Sequence, residues 1–148
     1  PSDYSVELHG LVKQLPASLR NRIHIVPETR QTTPYYLAAD LFVCTSKLES
    51  YPRVVLEAMA YDLPIVTTPV FGIREQVREG VNALFYEPGD SRALAARLQN
   101  LIQDEPLRSR MAAKSASVLA LGTDFEEMVE AYGEIFAEAW LTGGERLS

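Results

Sequence analysis

Cysteine, long apolar runs and positive charge are all scarce in this chain of 148 residues. The single cysteine, Cys44, excludes an internal disulfide, and its apolar surroundings predict an inert core thiol. No apolar run approaches the roughly 20 residues of a membrane-spanning helix and no signal peptide is recognisable, so a cytoplasmic location is expected. The 14 basic residues against 20 acidic ones leave a net charge of −6, which disfavours nucleic acid and anionic membranes as partners.

Metal sites and activated nucleophiles also lack a signature in this chain. The two histidines, His9 and His24, lie far apart, and neither has an acid or a cysteine at ligand spacing. Neither a nucleophile elbow nor a glycine-rich phosphate loop is present. We therefore expect no metal and no other cofactor.

The chain does have an ordered alternation of short apolar runs and amphipathic stretches. The apolar runs predict strands at 23–26, 41–45, 64–68 and 83–86. Helical spacing predicts helices at 4–15, 35–38, 53–61, 91–103 and 107–121, and a last helix from Thr123 or Asp124. This alternation predicts a Rossmann-like α/β fold, in which a parallel sheet has helices on both faces. The length suits one domain with a sizeable core.

The last predicted helix carries an apolar stripe. Its members recur at helical spacing: Phe125, Met128, Val129, Tyr132, Phe136 and Trp140. Core packing is the expected role of this stripe. The alternative is that part of it is exposed and drives formation of a homodimer. Residues 142–148, which follow it, are expected to fray.

The segment 45–69 carries the strongest chemical signal. A polar loop at 46–51 follows a predicted strand, Pro52 suits the first turn of a helix, and Glu49 and Glu57 stand with seven residues between them. The free N–H groups of the first helical turn, near Arg53 and Val54, are suited to an anion. Carboxylates accept hydrogen bonds from sugar hydroxyls, each worth about 1.5–3 kcal/mol when desolvated. The segment therefore suits a phosphorylated, hydroxyl-rich ligand such as a sugar nucleotide.

A purely structural interpretation of these acids is also open. A glutamate early in a helix is favourable because of the helix dipole alone. Two glutamates at this spacing are common in an acidic chain. What favours the functional interpretation is their context, because a ligand on a parallel sheet binds at the carboxyl ends of the strands. That rule places the loops 28–30, 46–51 and 69–72 along one edge.

The order of motifs around these acids resembles a known family. The matching segments are 35–43 (Tyr-x-x-Ala-Asp-x-Phe-Val), 45–66 (Ser-x-x-Glu, then Glu-Ala-Met-Ala), 67–77 (Gly-x-x-Glu-x-Val) and 80–90 (Gly-x-Asn, then Pro-Gly-Asp). This series resembles the retaining glycosyltransferases of the GT-B fold that carry the Glu-x7-Glu signature, the group 1, family 4 type. The strong match covers residues 35–104.

The resemblance implies a role for each matching residue. Glu57 would accept hydrogen bonds from the ribose hydroxyls of a nucleoside diphosphate sugar, and Glu49, the catalytic residue implied by the motif, would contact the donor sugar. The backbone amides would face the sugar at Ser50 and Tyr51, and the distal phosphate at Arg53 and Val54. Further residues implied to line the pocket are Thr29, Phe71, Gly72 and Glu75. Catalysis would consist of positioning and of stabilising the leaving diphosphate.

Four residues depart from the family pattern, each where a glycine is usual. Pro52 removes one backbone N–H near the donor sugar, and Phe71 would narrow the pocket. Asp62 stands where a helix ends in the left-handed conformation, which favours glycine, and Ala83 stands in a turn. Whether Pro52 and Phe71 impair donor binding is left open.

The resemblance also implies parts that this sequence lacks. The family has an N-terminal acceptor domain and, before the Glu-x7-Glu region, a glycine-rich strand end with an Arg and a Lys that neutralise the diphosphate. We therefore expect residues 1–148 to be a single donor-binding domain, incomplete at its N-terminal side and inactive alone. The expected partners are the nucleotide-sugar donor and the acceptor domain of the same polypeptide.

Two other functions stay open at this point. A sugar-nucleotide epimerase of GT-B architecture would need a catalytic acid constellation and a complete second domain. A degenerate, non-catalytic GT-B-like interaction module is consistent with Pro52 and Phe71. The nucleotide base, the sugar, the acceptor and the pathway are not specified by these motifs.

Overall fold

The computed structural model describes residues 3–122 and 125–143, and the chain divides into two compact units between Pro34 and Tyr35. The predicted start of the last helix at Thr123 or Asp124 lies outside the described residues. So do residues 144–148, most of the tail that is predicted to fray. Among the described residues, no helix has the length and hydropathy of a transmembrane segment.

The first unit is helical. Helix α1 spans Asp3–Lys13, so it ends two residues before the end of the predicted helix 4–15. Helix α2 spans Ala17–Arg20 and follows Pro16. The strand predicted at 23–26 is wrong, because the amide of Ile23 donates to Arg20 O in a turn (3.1 Å) and no ladder forms within the described unit. Apolar residues make a strand only where a neighbour pairs with their backbone groups. Residues 28–30 therefore follow no strand.

The second unit contains a parallel sheet, as predicted. After α3 (Thr33–Ala38) come β1 (Phe42–Cys44), β2 (Ile65–Thr67) and β3 (Ala83–Phe85), paired in the order β1-β2-β3. The register aligns Cys44 with Thr67 and Thr67 with Phe85, so all three strands end at one level. Three apolar runs that the sequence predicts as strands thus form one sheet.

Helices follow the strands in the predicted order. They are α4 (Arg53–Ala60), α5 (Ile73–Gln76), α6 (Ser91–Gln103), α7 (Glu105–Leu119) and α8 (Phe125–Gly143). Asp90 caps α6 by accepting from the amide of Ala93 at 2.8 Å, and Asp104 caps α7 by accepting from that of Leu107 at 2.8 Å. Capping by Asp104 explains why α7 begins before the predicted residue 107.

The core lies on both faces of the sheet. Met59 of α4, Ile65 of β2 and Ile73 of α5 are fully buried on one face, where Cys44 is also buried. Leu101 of α6 and Met111 of α7 pack with Val66 and Leu84 in a second cluster. Helices therefore cover both faces, and Cys44 is a core thiol, as the sequence predicts.

Helix α8 departs from the expectation of core packing. Phe136 is 70% exposed and Trp140 is 84% exposed, and Tyr132 and Val129 are also more than half exposed. An amphipathic helix buries its apolar stripe only where another surface meets it. The alternative interpretation, in which part of the stripe is exposed, is therefore the one that the structure supports. Formation of a homodimer through α8 stays a prediction.

Candidate functional site

The carboxyl ends of β1, β2 and β3 bring the loops after them to one edge of the sheet. Two of these loops touch. The hydroxyl of Thr68, after β2, donates to Ser46 O, after β1, at 2.5 Å. A Cβ atom built on Gly72 would lie only 1.6 Å from Ser50 O, so the two backbones approach at a distance that only glycine permits. The predicted proximity of loops 46–51 and 69–72 is thus observed.

Glu49 is held by a short series of hydrogen bonds that starts in the core. The buried thiol of Cys44 lies 3.6 Å from Ser46 Oγ, and Ser46 Oγ donates to Glu49 Oε1 at 2.7 Å. Thr68 fixes the backbone of Ser46 from the neighbouring loop. Within the part of the chain that the structure describes, the bond from Ser46 is the one hydrogen bond to the half-buried Glu49 carboxylate, and Glu49 Oε2 has no partner there.

The N-terminus of α4 lies between the two glutamates in sequence and carries no side-chain cap among the described residues. Pro52 is its N-cap, with φ −70° and ψ 121°, and the helix begins at Arg53. Gln76 of α5, which is 3% exposed, donates from Nε2 to Pro52 O at 3.1 Å. The hydrogen bond from the side-chain amide of Gln76 therefore fixes the start of α4. The N–H groups of Arg53 and Val54 have no intrahelical partner.

Glu57 lies on the second turn of α4 and contacts two side chains. Tyr36 of α3 donates its hydroxyl to Glu57 Oε2 at 3.0 Å. Arg53 Nη2 lies 3.9 Å from Glu57 Oε1, but the Arg53 side chain is 89% exposed. An exposed pair of this kind contributes little. Tyr36 is therefore the main restraint on the carboxylate of Glu57.

Tyr36 is itself rigidly placed. Its ring stacks on Tyr61 with centroids 5.3 Å apart and an interplanar angle of 6°, and it also contacts Phe42 at 6.0 Å. Burial, and then the hydrogen bond to Glu57, raise the pKa of Tyr36 from about 10 to about 12. The phenol thus stays protonated and keeps its role as donor throughout the physiological pH range.

Two of the four residues that replace family glycines adopt positive φ. Asp62 has φ 54° at the end of α4, which confirms the left-handed conformation expected there. Phe71 has φ 40°, and its side chain is 67% exposed. A non-glycine residue in this region costs about 1–2 kcal/mol. The backbone at Phe71 thus keeps a conformation that favours glycine.

The remaining predicted residues, Glu75 and Thr29, make no hydrogen bond to Glu49 or Glu57 among the described residues. Glu75 of α5 lines a small pocket of about 30 Å³ together with Tyr51, Gln76 and residues at the end of α7. Thr29 belongs to the first unit, where its hydroxyl accepts from the amide of Gln31 at 3.1 Å. Roles of both residues in a donor pocket stay predictions.

Four residues of the site carry no role in the sequence interpretation: Tyr36, Ser46, Thr68 and Gln76. All four lie inside the matched segments, Tyr36 in 35–43, Ser46 in 45–66, and Thr68 and Gln76 in 67–77, so their places were marked although their contacts were not. The partners of Tyr36, Thr68 and Gln76 lie 21, 22 and 24 residues away in sequence, where no local pattern indicates them. Among the described residues no group of three His, Cys, Asp or Glu side chains is placed to hold a metal ion. The expected lack of a cofactor stays a prediction.

A parallel α/β sheet with an uncapped helix N-terminus and oriented carboxylates in the loop and helix after its first strand is typical of Rossmann-like domains, which bind ligands at this edge. Comparison with known families is more specific. The family model described as glycosyl transferases group 1 matches residues 7–118. The chain therefore belongs to this family.

Curated relatives support the same assignment. The lipopolysaccharide core biosynthesis glycosyltransferase LpsE of Rhizobium meliloti is 30% identical over 130 residues, covering 88% of this chain and 38% of that protein. A D-inositol 3-phosphate glycosyltransferase of Xylanimonas cellulosilytica is 32% identical over 133 residues, covering 90% of this chain and 32% of that protein. The chain spans about a third of the length of these relatives.

Solved structures share the fold. HepE of Anabaena, in complex with UDP, has a TM-score of 0.80 and 28% identity, covering 92% of this chain and 37% of that one. The C-terminal domain of the group 1 family protein LpcC from Francisella tularensis has a TM-score of 0.70 and 28% identity, over 84% of this chain and 64% of that one. The predicted Rossmann-like α/β fold of GT-B type is confirmed.

Proposed function

We propose that this chain is the nucleotide-sugar donor-binding portion of a retaining glycosyltransferase, which transfers a hexose from a nucleoside diphosphate sugar to an acceptor. The observation that carries this proposal is the pair of glutamates on either side of an uncapped helix start. Each carboxylate is oriented by one protein hydroxyl, Glu49 by Ser46 and Glu57 by Tyr36. Each keeps an oxygen for a ligand hydroxyl.

Each part of the ligand has a proposed contact. The ribose hydroxyls donate to Glu57, and a hydroxyl of the sugar donates to Glu49, near the amides of Ser50 and Tyr51. The distal phosphate lies against the N–H groups at the start of α4, where the helix dipole favours an anion. These donors stabilise the diphosphate as the bond to the sugar breaks, and the carboxylates hold the sugar in position.

The complex of HepE with UDP supports a uridine nucleotide as the first probe. The transfer itself is proposed for a protein that also has an acceptor domain, and this chain alone is expected to bind the donor without transferring it. An acidic chain must bind a diphosphate through local amides and few cations. A cytoplasmic location stays a prediction.

A non-catalytic interaction module is the second candidate function. It is favoured by Phe71, whose positive φ and exposed ring stand where the family has a glycine, and by Pro52, which has no N–H to offer. The two candidates differ in whether a nucleotide binds at all.

Calorimetry with UDP, GDP, ADP and their glucose conjugates tests the proposal. Glu57→Ala should weaken binding of the preferred nucleotide at least about tenfold, since hydrogen bonds to a charged acceptor are lost. The matched control is Glu130→Ala on α8, which removes the same charge from an exposed helix position and should bind as the native chain does. A native chain that binds none of these nucleotides would contradict the proposal and favour the non-catalytic module.

A further inference from the structure

Tyr36 is the buried partner of a carboxylate that is itself only half-buried. The ring of Tyr36 is 9% exposed and lies with Ala58 of α4 and Leu63 in a small core cluster, whereas the Glu57 side chain is 36% exposed. The hydroxyl of Tyr36 reaches Glu57 across 21 residues of sequence. The buried hydroxyl of Tyr36 therefore contacts the Glu57 side chain, which is free to rotate where it is exposed.

The geometry makes the tyrosine the fixed member of this pair. The stacked ring of Tyr61 and the tilted ring of Phe42 confine the plane of the phenol, so the position of its oxygen is fixed. A phenol has a single proton to donate, and here it is directed to Glu57 Oε2. This hydrogen bond therefore fixes the rotation of the Glu57 carboxylate about its Cγ–Cδ bond.

Arg53 does not impose a comparable restraint. Its nearest nitrogen is 3.9 Å from Glu57 Oε1, and its long side chain is almost fully exposed. Such a pair is free to separate at little cost. The oxygen near Arg53 is therefore the one that remains available to a ligand.

We propose that Tyr36 is a positioning residue that holds Oε2 of Glu57 and so directs Oε1 at the ribose hydroxyls of the bound nucleotide. The inference rests on the ribose role of Glu57 in the proposed function and goes beyond it by naming what sets the specificity. A site built to accept a hydroxyl discriminates strongly against an analogue without one. Tyr36 thus maintains the preference of this chain for a ribonucleotide.

The test compares UDP with 2′,3′-dideoxyuridine diphosphate by calorimetry. The native chain should bind UDP more tightly than the dideoxy analogue. Tyr36→Phe keeps the stacked ring and removes only the hydroxyl, so UDP affinity should fall about threefold to tenfold, the range for a lost hydrogen bond. Affinity for the dideoxy analogue should not change, because that ligand has no hydroxyl for Glu57 to meet.

A double-mutant cycle separates positioning from a structural role. In the Glu57→Ala background, Tyr36→Phe should leave UDP affinity unchanged, because the group that it positions is gone. The matched control is Tyr86→Phe, another buried tyrosine, which belongs to the second core cluster with Val66 and Leu84 and should leave the ratio of the two affinities as in the native chain.

Each contrary outcome points to a different error. If Tyr36→Phe weakens both nucleotides equally, or lowers only the melting temperature, Tyr36 is structural and the inference is overturned. If the native chain discriminates and Tyr36→Phe discriminates to the same degree, the inference is again overturned while the ribose role of Glu57 stands. If the native chain binds neither nucleotide or does not discriminate, the ribose role in the proposed function fails, and the positioning role falls with it.

Discussion

At the scale of single residues, the site depends on a few side chains and one missing Cβ. Glu49 and Glu57 were identified from the sequence, but the hydroxyls that orient them belong to Ser46 and Tyr36. Glycine at position 72 lets the backbone of Ser50 approach closely. The chemistry of the glutamates is a property of the residues, whereas their orientation comes from these neighbours.

Gly72→Ala should damage the site. The added Cβ would lie 1.6 Å from Ser50 O, so the 46–51 loop must move, and overpacking of this kind costs about 1–3 kcal/mol. Chemical denaturation should show that loss, and nucleotide affinity should fall with it. The control is Gly10→Ala in α1, where the new methyl group meets no atom and alanine favours the helix. Equal stability of Gly72→Ala and the native chain would contradict this close approach.

At the scale of elements, backbone groups on the outer edge of β3 form hydrogen bonds with groups outside the strand. On the side away from β2, Ala83 O accepts from the amide of Gly80 at 2.8 Å. The amide of Phe85 donates to Glu79 Oε2 at 2.6 Å, and Phe85 O accepts from Arg97 Nε at 3.0 Å. An edge strand with free backbone groups is a template for pairing with another chain. One backbone amide and two side chains from outside β3 therefore protect this edge.

Glu79→Ala should open that edge locally. The amide of Phe85 loses a charge-assisted hydrogen bond, so its hydrogen exchange should accelerate about tenfold or more. Glu79→Gln still offers an acceptor and should exchange at an intermediate rate. Glu87→Ala, the same change of charge at an exposed residue nearby, serves as the control. Unchanged exchange at Phe85 in Glu79→Ala would exclude this role of Glu79.

At the scale of the whole molecule, two features extend beyond the site. The first is the exposed stripe of α8, which keeps the homodimer a prediction. The second is the pair of buried tyrosines on different core clusters. Burial is the leading cause that raises the pKa of both Tyr36 and Tyr86, and for Tyr36 the pKa reaches about 12. The small cluster around Tyr36 and the second cluster, which contains Tyr86, therefore each hold a phenol that resists ionisation.

The stability of the second unit should fall in alkaline solution for this reason. Unfolded tyrosines ionise near pH 10, whereas Tyr36 ionises near pH 12 in the folded chain. Between these values the unfolded state loses a proton that the folded state keeps, so the contribution of Tyr36 to the free energy of unfolding is constant below pH 10 and decreases as the pH rises towards 12. Denaturation midpoints across this range measure the effect. Tyr36→Phe should lessen the decrease, and an identical slope in that variant would contradict the raised pKa.

The sequence by itself determined the order of elements and the chemistry at the strand ends. Apolar runs and helical spacing are local patterns, so β1 to β3, α4, α6 and α7 were predicted within a few residues. The acids Glu49 and Glu57 were identified from their spacing and context. The apolar run at 23–26 has the same local pattern but no pairing partner among the described residues, and there the prediction was wrong.

Only the tertiary structure decided which groups hold these acids. The contacts from Tyr36 to Glu57, from Thr68 to Ser46 and from Gln76 to Pro52 join residues that are 21, 22 and 24 positions apart. No spacing rule specifies such pairs, because they arise when packing brings distant elements together. The same reason applies to α8, whose apolar spacing is a local property while its exposure depends on which surface lies opposite.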